Sequence, residues 1–176
     1  VKDWPYAANS VFNAAAAIVN GKTFLLVRVE DFRGISHLTV AKSDDGVHNW
    51  VIDREPTLKP DPANYPEEIW GIEDPRTTWL EELQEWAVTY TAFSGGGPLV
   101  SLATTTDFRN FTRLGPVMPP EDKDAALFPV RFKGRWAMLH RPVAKLPEMG
   151  SHIWLSFSPN LKHWGEHQEL IHARAG

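Results

Sequence analysis

Ser36-His-Leu-Thr-Val-Ala-Lys-Ser43-Asp-Asp-Gly-Val-His-Asn-Trp50 combines a short apolar strand, a polar turn and an aromatic residue. The same pattern occurs twice more, as Val100-Ser-Leu-Ala-Thr-Thr-Thr106-Asp-Phe-Arg-Asn-Phe111 and as Ile153-Trp-Leu-Ser-Phe-Ser158-Pro-Asn-Leu-Lys-His-Trp164. The closing aromatic residues are 61 and 53 residues apart, about the length of one four-stranded sheet. Asp or Ser side chains can cap each turn, and the aromatic residues can pack between neighbouring sheets. The repeat predicts the blades of a β-propeller.

Outward from the repeat, the chain continues as β-branched or aromatic runs that Pro and Gly interrupt. The runs predicted as strands are Thr23–Val29, Ser36–Ala41, Arg76–Trp79, Trp86–Phe93, Val100–Thr104, Val130–Phe132, Trp136–His140 and His152–Ser156. The sequence therefore predicts an all-β fold in which residues 1–176 form one domain of about three blades. Because propellers have about four to eight blades, we expect the other blades to come from a longer chain or a second one.

Composition narrows the class of protein. The 176 residues are 43% hydrophobic and 23% charged, which is typical of a soluble globular protein. A net charge of -4 lacks the basic excess of nucleic-acid-binding proteins. The longest helical-looking apolar stretch, Ala14–Val19, is far too short to cross a membrane. There is no Cys, which excludes disulfides and thiolate metal sites.

The densest chemical signal is Trp70-Gly-Ile-Glu73-Asp74-Pro75-Arg76. Pro75 biases Asp74 towards an extended backbone, so the carboxylate is expected to be held rigidly at the beginning of a strand. Two adjacent carboxylates repel, which can raise the pKa of one of them into the range of a general acid. An equally weighted interpretation is a surface salt bridge between Glu73 and Arg76, with Asp74 capping a turn.

A second cluster contains cations at the ends of a predicted strand pair. Lys123 lies in Asp122-Lys-Asp-Ala-Ala-Leu-Phe-Pro129. His140 is the last residue of the predicted strand Trp136–His140, and Arg141 follows it. Such groups suit an anion such as phosphate. The alternative is a solvated Lys beside a structural His-Arg turn. Near the beginning of the chain, Asn13 and Arg28 are weaker candidates for hydrogen bonds to sugar hydroxyls.

Two further motifs receive little weight. His163-x-x-x-His167 offers two metal ligands on one helical turn but has no third partner in sequence, so we expect no metal site. Asn110-Phe-Thr112 matches a glycosylation sequon but falls inside the repeat turn. No cofactor is predicted.

Taken in order, several segments resemble glycoside hydrolase family 130, which contains β-mannoside phosphorylases and β-mannosidases on a five-bladed propeller. The resemblance extends from about Val11 to the end of the chain, and its motifs are specific in combination. They are Phe12-Asn13, Arg28, Ser43-x-Asp-Gly46, Gly71-Ile-Glu-Asp-Pro-Arg76, Thr89-Tyr-Thr91, Lys123-Asp-Ala-Ala-Leu-Phe-Pro129 and His140-Arg-Pro142.

The resemblance implies roles for the candidate residues. Asp74 matches the general acid, and Asn13 and Arg28 match positions that bind the mannose. Lys123 and His140 match positions that contact phosphate. Glu73 and Arg76 are assigned to the substrate, and Arg141 to phosphate.

The implied reaction is inverting phosphorolysis of β-mannosides, with inorganic phosphate as co-substrate and α-mannose 1-phosphate as product. The acid is expected to pass its proton through the O3 hydroxyl of the sugar. Lys123 and His140 argue against the rival, a β-mannosidase that uses water.

A third interpretation is a non-catalytic sugar-binding or assembly module. Family members continue well beyond this length, so the activity of this chain alone is left open. The expected partners are a β-mannoside and phosphate, with neither nucleic acid nor membrane. A cytoplasmic location is expected. Secretion stays open because the chain begins with Val1 rather than Met, and so does homo-oligomer formation.

Overall fold

A computed structural model describes residues 1–143 and 151–174, which form three four-stranded antiparallel sheets. The first sheet contains β1 (Ser10–Val19), β2 (Lys22–Glu30), β3 (Ser36–Ser43) and β4 (Val51–Ile52). The second contains β5 (Ile72–Leu80), β6 (Glu85–Ser94), β7 (Gly97–Thr105) and β8 (Thr112–Pro116). The third contains β9 (Asp122–Leu127), β10 (Trp136–Pro142), β11 (Ile153–Ser158) and β12 (Gly165–Ile171). In each sheet the strands pair in chain order, so the prediction of three propeller blades is confirmed.

The three copies of the repeat form the same capped turn between the third and fourth strand of each sheet. In the first copy, Ser43 Oγ accepts the Gly46 N–H at 3.0 Å, and Asp45 Oδ1 accepts the His48 N–H at 2.8 Å. Thr105 and Asp107 make the matching bonds in the second copy, and Ser158 and Asn160 make them in the third. The capping role predicted for these polar side chains is therefore confirmed.

Two apolar layers hold the sheets together. One lies between the first and second sheets, where Phe111 packs beside the buried Phe108. The other lies between the second and third sheets, where Trp164 packs near the fully buried Trp136. Trp50 occupies the equivalent place on the outer face of the first sheet. Each repeat aromatic thus packs on the same side of its own sheet.

The first strands of the three sheets lie side by side. Thr77 on β5 donates from Oγ1 to the Ala16 carbonyl of β1 at 2.9 Å. The next residue, Thr78, donates from Oγ1 to the Leu127 carbonyl of β9 at 3.0 Å. Strand β5 therefore stands between β1 and β9, and residues from all three strands can meet.

The apolar run Ala14–Val19 is the second half of strand β1, and its alternate residues Ala15 and Ala17 are buried against the second sheet. The structure corrects one predicted strand. Val130–Phe132 is not a strand: Phe132 makes a single bridge to Arg135 around a turn in which Lys133 and Gly134 have positive φ. No helix among the described residues is long and apolar enough to span a membrane.

Candidate active site

A β-bulge interrupts the first strand of every sheet at the same place. The ladder between β1 and β2 skips from Phe12 to Ala15, and that between β5 and β6 skips from Glu73 to Arg76. In the third sheet β9 skips from Lys123 to Ala126 opposite β10. The first residue within each skip is left-handed, with φ of 47° at Asn13, 47° at Asp74 and 57° at Asp124. Asn and Asp tolerate this conformation, and a bulge re-aims the side chain that it carries.

The bulge of β5 places Asp74 against residues of the first sheet. Asn13 Nδ2 donates to Asp74 Oδ1 at 2.9 Å, and Arg28 Nη1 donates to the same oxygen at 2.9 Å. Arg28 also bonds Glu73 Oε1 through Nη2 and Ser36 Oγ through Nε, each at 2.9 Å. Four predicted site residues are therefore brought together around one guanidinium.

The two adjacent carboxyls respond to this environment in opposite directions. Burial raises the pKa of Glu73, and the negative charge of Asp74 adds to the rise. Burial also acts to raise the pKa of Asp74, but the hydrogen bonds from Asn13 and Arg28 and the charges of Arg28 and Lys123 outweigh it. The pKa of Asp74 therefore lies below its usual value, and the raised member of the pair is Glu73.

The ion pair between Glu73 and Arg76, which was the alternative interpretation of this motif, is absent from the described residues. Glu73 pairs with Arg28, whose side chain is only 12% exposed. Arg76 is exposed and donates from Nη1 to the neighbouring Pro75 carbonyl at 3.3 Å. Among the described residues it makes no hydrogen bond to another predicted site residue, so its assignment to the substrate stays a prediction.

Lys123 and Arg141, the cation pair of the third sheet, are opposite each other in the ladder between β9 and β10. The charge of Lys123 lowers the pKa of both Glu73 and Asp74, so its ammonium group lies within electrostatic reach of the two carboxyls. Arg141 is bound by Asp124, which accepts from Arg141 Nε at 2.9 Å and also from Nη2. Arg141 is thus already paired with the Asp124 carboxylate, whereas the charge of Lys123 acts on Glu73 and Asp74.

His140 lies behind the cation pair. Its side chain is 3% exposed, and both ring nitrogens are engaged: Nδ1 with Asp122 Oδ2 at 2.5 Å and Nε2 with Ser156 Oγ at 2.7 Å. The structure therefore brings Lys123 to the acid and places His140 in the interior of the third sheet. Contact between His140 and phosphate stays a prediction.

Comparisons with known proteins identify the family of the chain. A family profile described as Glyco_hydro_130, beta-1,4-mannooligosaccharide phosphorylase, matches residues 2–175. The chain belongs to glycoside hydrolase family 130. It is 36% identical over 143 residues to a beta-1,2-mannobiose phosphorylase of Listeria innocua, covering 81% of this chain and 38% of that protein. It is 33% identical over 183 residues to a 1,2-beta-oligomannan phosphorylase of Thermoanaerobacter sp., covering 96% and 55%.

A solved structure of the Listeria innocua beta-1,2-mannobiose phosphorylase, in complex with beta-1,2-mannobiose, superposes with a TM-score of 0.85. The two chains are 26% identical, and the match covers 96% of this chain and 61% of that one. This family 130 chain spans about half the length of the curated relatives that it matches. Its three sheets are three blades of the five-bladed propeller of the family.

Several residues that surround this family 130 site and bond its members were missed from sequence. Asp124 is the counterpart of Asp74 and Asn13, and aligning Phe12-Asn13, Glu73-Asp74 and Lys123-Asp124 would have found it. Ser36, Asp122 and Ser156 gave no local signal, because their partners Arg28 and His140 lie 8 to 18 residues away on other strands.

A buried ion pair supports strand β5, which carries Asp74. Glu68, fully buried, accepts a hydrogen bond from Tyr90 at 2.8 Å and one from Arg113 Nε at 3.1 Å. Burial and the Glu68 charge raise the pKa of Tyr90, which keeps the phenol protonated and donating. Tyr90 lies opposite the bulge at Asp74, so this interaction stabilises the backbone that carries the acid.

Possible metal ligands in this family 130 chain are already bonded to protein groups. His163 and His167 bond to different residues, Asn160 and Ser156. His152, Glu169 and His172 form a compact group on the outer strands. Within it, His172 Nδ1 donates to Glu169 at 2.8 Å, and His152 Nδ1 accepts the Ala173 N–H at 2.8 Å. The group lies near β12, at the opposite edge of the third sheet from β9.

Proposed function

We propose that the protein to which this chain belongs catalyses inverting phosphorolysis of β-mannosides, releasing α-mannose 1-phosphate. The observation that carries the proposal is the placement of a carboxyl, Asp74, and a cation, Lys123, on neighbouring bulges of β5 and β9. Their charges interact, because Lys123 lowers the pKa of Asp74. The phosphorylase names of the relatives support the same reaction class.

One acid facing a cation suits phosphate as the nucleophile. Inverting hydrolysis uses two carboxyl groups about 6.5–9.5 Å apart, one of which activates water. Phosphate is already a nucleophilic anion, so a cation that holds it opposite the leaving group replaces the base. A phosphate oxygen forms the new bond to the anomeric carbon as the glycosidic bond breaks. The leaving oxygen receives a proton that Asp74 delivers through the O3 hydroxyl.

Asp74 has to gain a proton before it can act as an acid, and the site supplies a cause. In the ligand-free site the charges of Arg28 and Lys123 favour its ionised form. A phosphate bound by Lys123 cancels that positive charge and adds a negative one, which raises the pKa of a nearby carboxyl. Sugar hydroxyls that take the hydrogen bonds of Asn13 and Arg28 act in the same direction. Asp74 therefore gains its proton when both substrates are bound.

The remaining assignments rest on the resemblance to the family. Asn13 and Arg28 bind the mannose whose bond is cleaved, and Glu73 accepts from a hydroxyl beside it. Arg141 joins Lys123 at the phosphate. A cytoplasmic location is part of the proposal, because a charged sugar phosphate released outside the cell does not cross a membrane unaided.

The test is to express the complete open reading frame that encodes this chain. The protein is incubated with β-1,2- or β-1,4-mannobiose, with and without inorganic phosphate, and the products are followed by ³¹P NMR and sugar analysis. Phosphate-dependent formation of mannose 1-phosphate supports the proposal. Free mannose without phosphate indicates a β-mannosidase, and binding without cleavage in either arm indicates a non-catalytic module.

A further inference from the structure

A row of four polar side chains crosses the third sheet, one from each strand. They are Asp122 on β9, His140 on β10, Ser156 on β11 and His167 on β12. Asp122 Oδ2 is 2.5 Å from His140 Nδ1, His140 Nε2 is 2.7 Å from Ser156 Oγ, and Ser156 Oγ is 2.7 Å from His167 Nδ1. The three hydrogen bonds form a continuous chain from a buried carboxylate to an exposed His.

With Asp122 ionised and His140 neutral, the chain has one consistent assignment of protons. His140 donates from Nδ1 to Asp122, Ser156 donates to His140 Nε2, and His167 donates from Nδ1 to Ser156 Oγ. The buried Asp122 carboxylate depends on the hydrogen bond from His140, because its other oxygen, Oδ1, is buried with no hydrogen-bond partner among the described residues. His140 thus provides the one hydrogen bond that the Asp122 carboxylate receives in the part of the chain that the structure describes.

Two members of the row are next to the cation pair along strands β9 and β10. Asp122 precedes Lys123, and His140 precedes Arg141 in the paired strand. His140 is also the single residue opposite the bulge formed by Asp124 and Ala125. The bond between Asp122 and His140 therefore ties together the two backbones that carry Lys123 and Arg141, at the point where the bulge interrupts the ladder.

We propose that His140 is a positioning residue for the anion site, which acts through Asp122 to fix Lys123 and Arg141 and does not itself bind phosphate. The proposal rests on the proposed function for the identity of the anion. Two observations carry it: both ring nitrogens of His140 are bonded inside the sheet, and its side chain is 3% exposed. A group placed in this way affects the anion through geometry.

Two substitutions separate positioning from direct contact in the complete protein. Asn places its amide near the position of the His Nδ1, so His140→Asn retains a donor to Asp122. Gln places its amide near Nε2, so His140→Gln retains only the contact with Ser156. Positioning through Asp122 predicts that His140→Gln raises the KM for phosphate roughly tenfold, whereas His140→Asn stays within about threefold. The KM for the mannoside changes little in either variant.

Direct contact through Nε2 predicts the reverse order, with His140→Gln close to wild type. A purely structural role predicts that both variants lower Tm and leave the KM for phosphate unchanged; either result overturns the proposal. Ser156→Ala is the matched control, since it breaks the outer link and leaves the bond between His140 and Asp122. Its KM for phosphate is expected to lie within about twofold of wild type.

The same experiment distinguishes this proposal from the proposed function. Binding of inorganic phosphate to the wild-type protein is measured by ³¹P NMR beside the kinetic assays. A wild-type protein that neither binds nor uses phosphate removes both proposals. A wild-type protein that uses phosphate, with variants that share its KM for phosphate, removes the positioning role alone.

Discussion

The bulges of β5 and β9 have the same backbone and different charges. Each pairs a skip of the ladder with a left-handed Asp, at Asp74 and at Asp124. The preceding residue is Glu73 in one and Lys123 in the other. The repeated fold thus supplies equivalent positions, and substitution at the position before the bulge divides them into an acidic side and a cationic side.

The partners of the two Asp residues differ as well. Asp74 is bound across a sheet boundary by Asn13 and Arg28, whereas Asp124 is bound by Arg141 from its own sheet. Arg28 and Arg141 occupy equivalent places, each opposite the residue that precedes a bulge. The Asp74 carboxylate, carried by the second sheet, is therefore oriented by side chains of the first sheet, which suits its proposed role as the acid, while Asp124 is oriented by a side chain of its own sheet.

The largest effect is expected from neutralising the two Asp residues one at a time. Asp74→Asn keeps the size of the side chain and removes its proton, so kcat should fall by roughly 10²- to 10⁴-fold. Asp124→Asn, the matched change on β9, should lower kcat by less than about tenfold. Steady-state kinetics of the complete protein, with circular dichroism to check folding, measures both. Equal losses would mean that the two bulges are not specialised.

Lys123→Met tests the cationic side. The KM for phosphate should rise about ten- to a hundredfold, because a charge-assisted contact is lost. Lys123 lowers the pKa of Asp74 and Glu73, so the pKa of both should rise in the variant. NMR titration of the two carboxyls in wild type and variant measures the shift. An Asp74 pKa that stays in place would show that Lys123 does not face the acid.

Arg28 and Arg141 give a matched comparison of stability. Arg28→Gln leaves Asp74 and Glu73 half-buried without their guanidinium, so the free energy of unfolding at pH 7 should fall by about 2 kcal/mol. Arg141→Gln, in a pair whose side chains are 30% exposed, should cost less than about 1 kcal/mol. Urea denaturation of the purified variants measures the difference. Similar costs for the two variants would contradict the deeper setting of Arg28.

The Arg28 effect should also depend on pH. The lowered pKa of Asp74 adds stability above its unfolded pKa of about 3.9, and that stability is lost as pH falls through the lower folded value. The raised pKa of Glu73 has the opposite sign and favours unfolding above its own unfolded value. Because Arg28 acts to lower the pKa of both carboxyls, urea titrations between pH 7 and pH 3 should show the cost of Arg28→Gln shrinking first as Glu73 protonates and then, at the acidic end, as Asp74 protonates.

The smallest effect concerns the backbone of the bulge alone. Asp124→Gly suits a positive φ, so the free energy of unfolding should change by less than about 1 kcal/mol. Asp124→Val forces a β-branched residue into the same conformation and should cost about 1–2 kcal/mol more than Gly. Thermal unfolding of the two variants compares them. Equal stabilities would argue that the bulge relaxes when Asp124 is removed.

The parts of the fold predicted from sequence are those with a local signal. The capped turns after β3, β7 and β11 depend on residues within a few positions of one another, so the repeat showed them. Strand β9 was missed because Asp122, Lys123 and Asp124 mask its short apolar end. Val130–Phe132 was wrong because the turn at Lys133 and Gly134 overrides three apolar residues.

The site was predicted as a set of residues and not as a set of contacts. The Glu-Asp-Pro-Arg motif identified Asp74, but its partner Arg28 lies 46 residues earlier and reaches it across two sheets. Arg76, three residues from Glu73, was the nearer candidate for an ion pair and is exposed instead. His140 was assigned by its charge, and its burial depends on Asp122 and Ser156, which lie on the two neighbouring strands.

Thr77 and Thr78 link the first strands of the three blades at the candidate active site. Consecutive residues of a strand point to opposite sides, so these two hydroxyls fasten β5 to β1 on one flank and to β9 on the other. In the proposed mechanism, the spacing between the proton donor Asp74 on β5 and the anion-binding Lys123 on β9 depends on the Thr78 bond, and the Thr77 bond sets the distance from β5 to β1. Separating these strands to admit a wider sugar would break the hydrogen bond of Thr77, of Thr78 or of both.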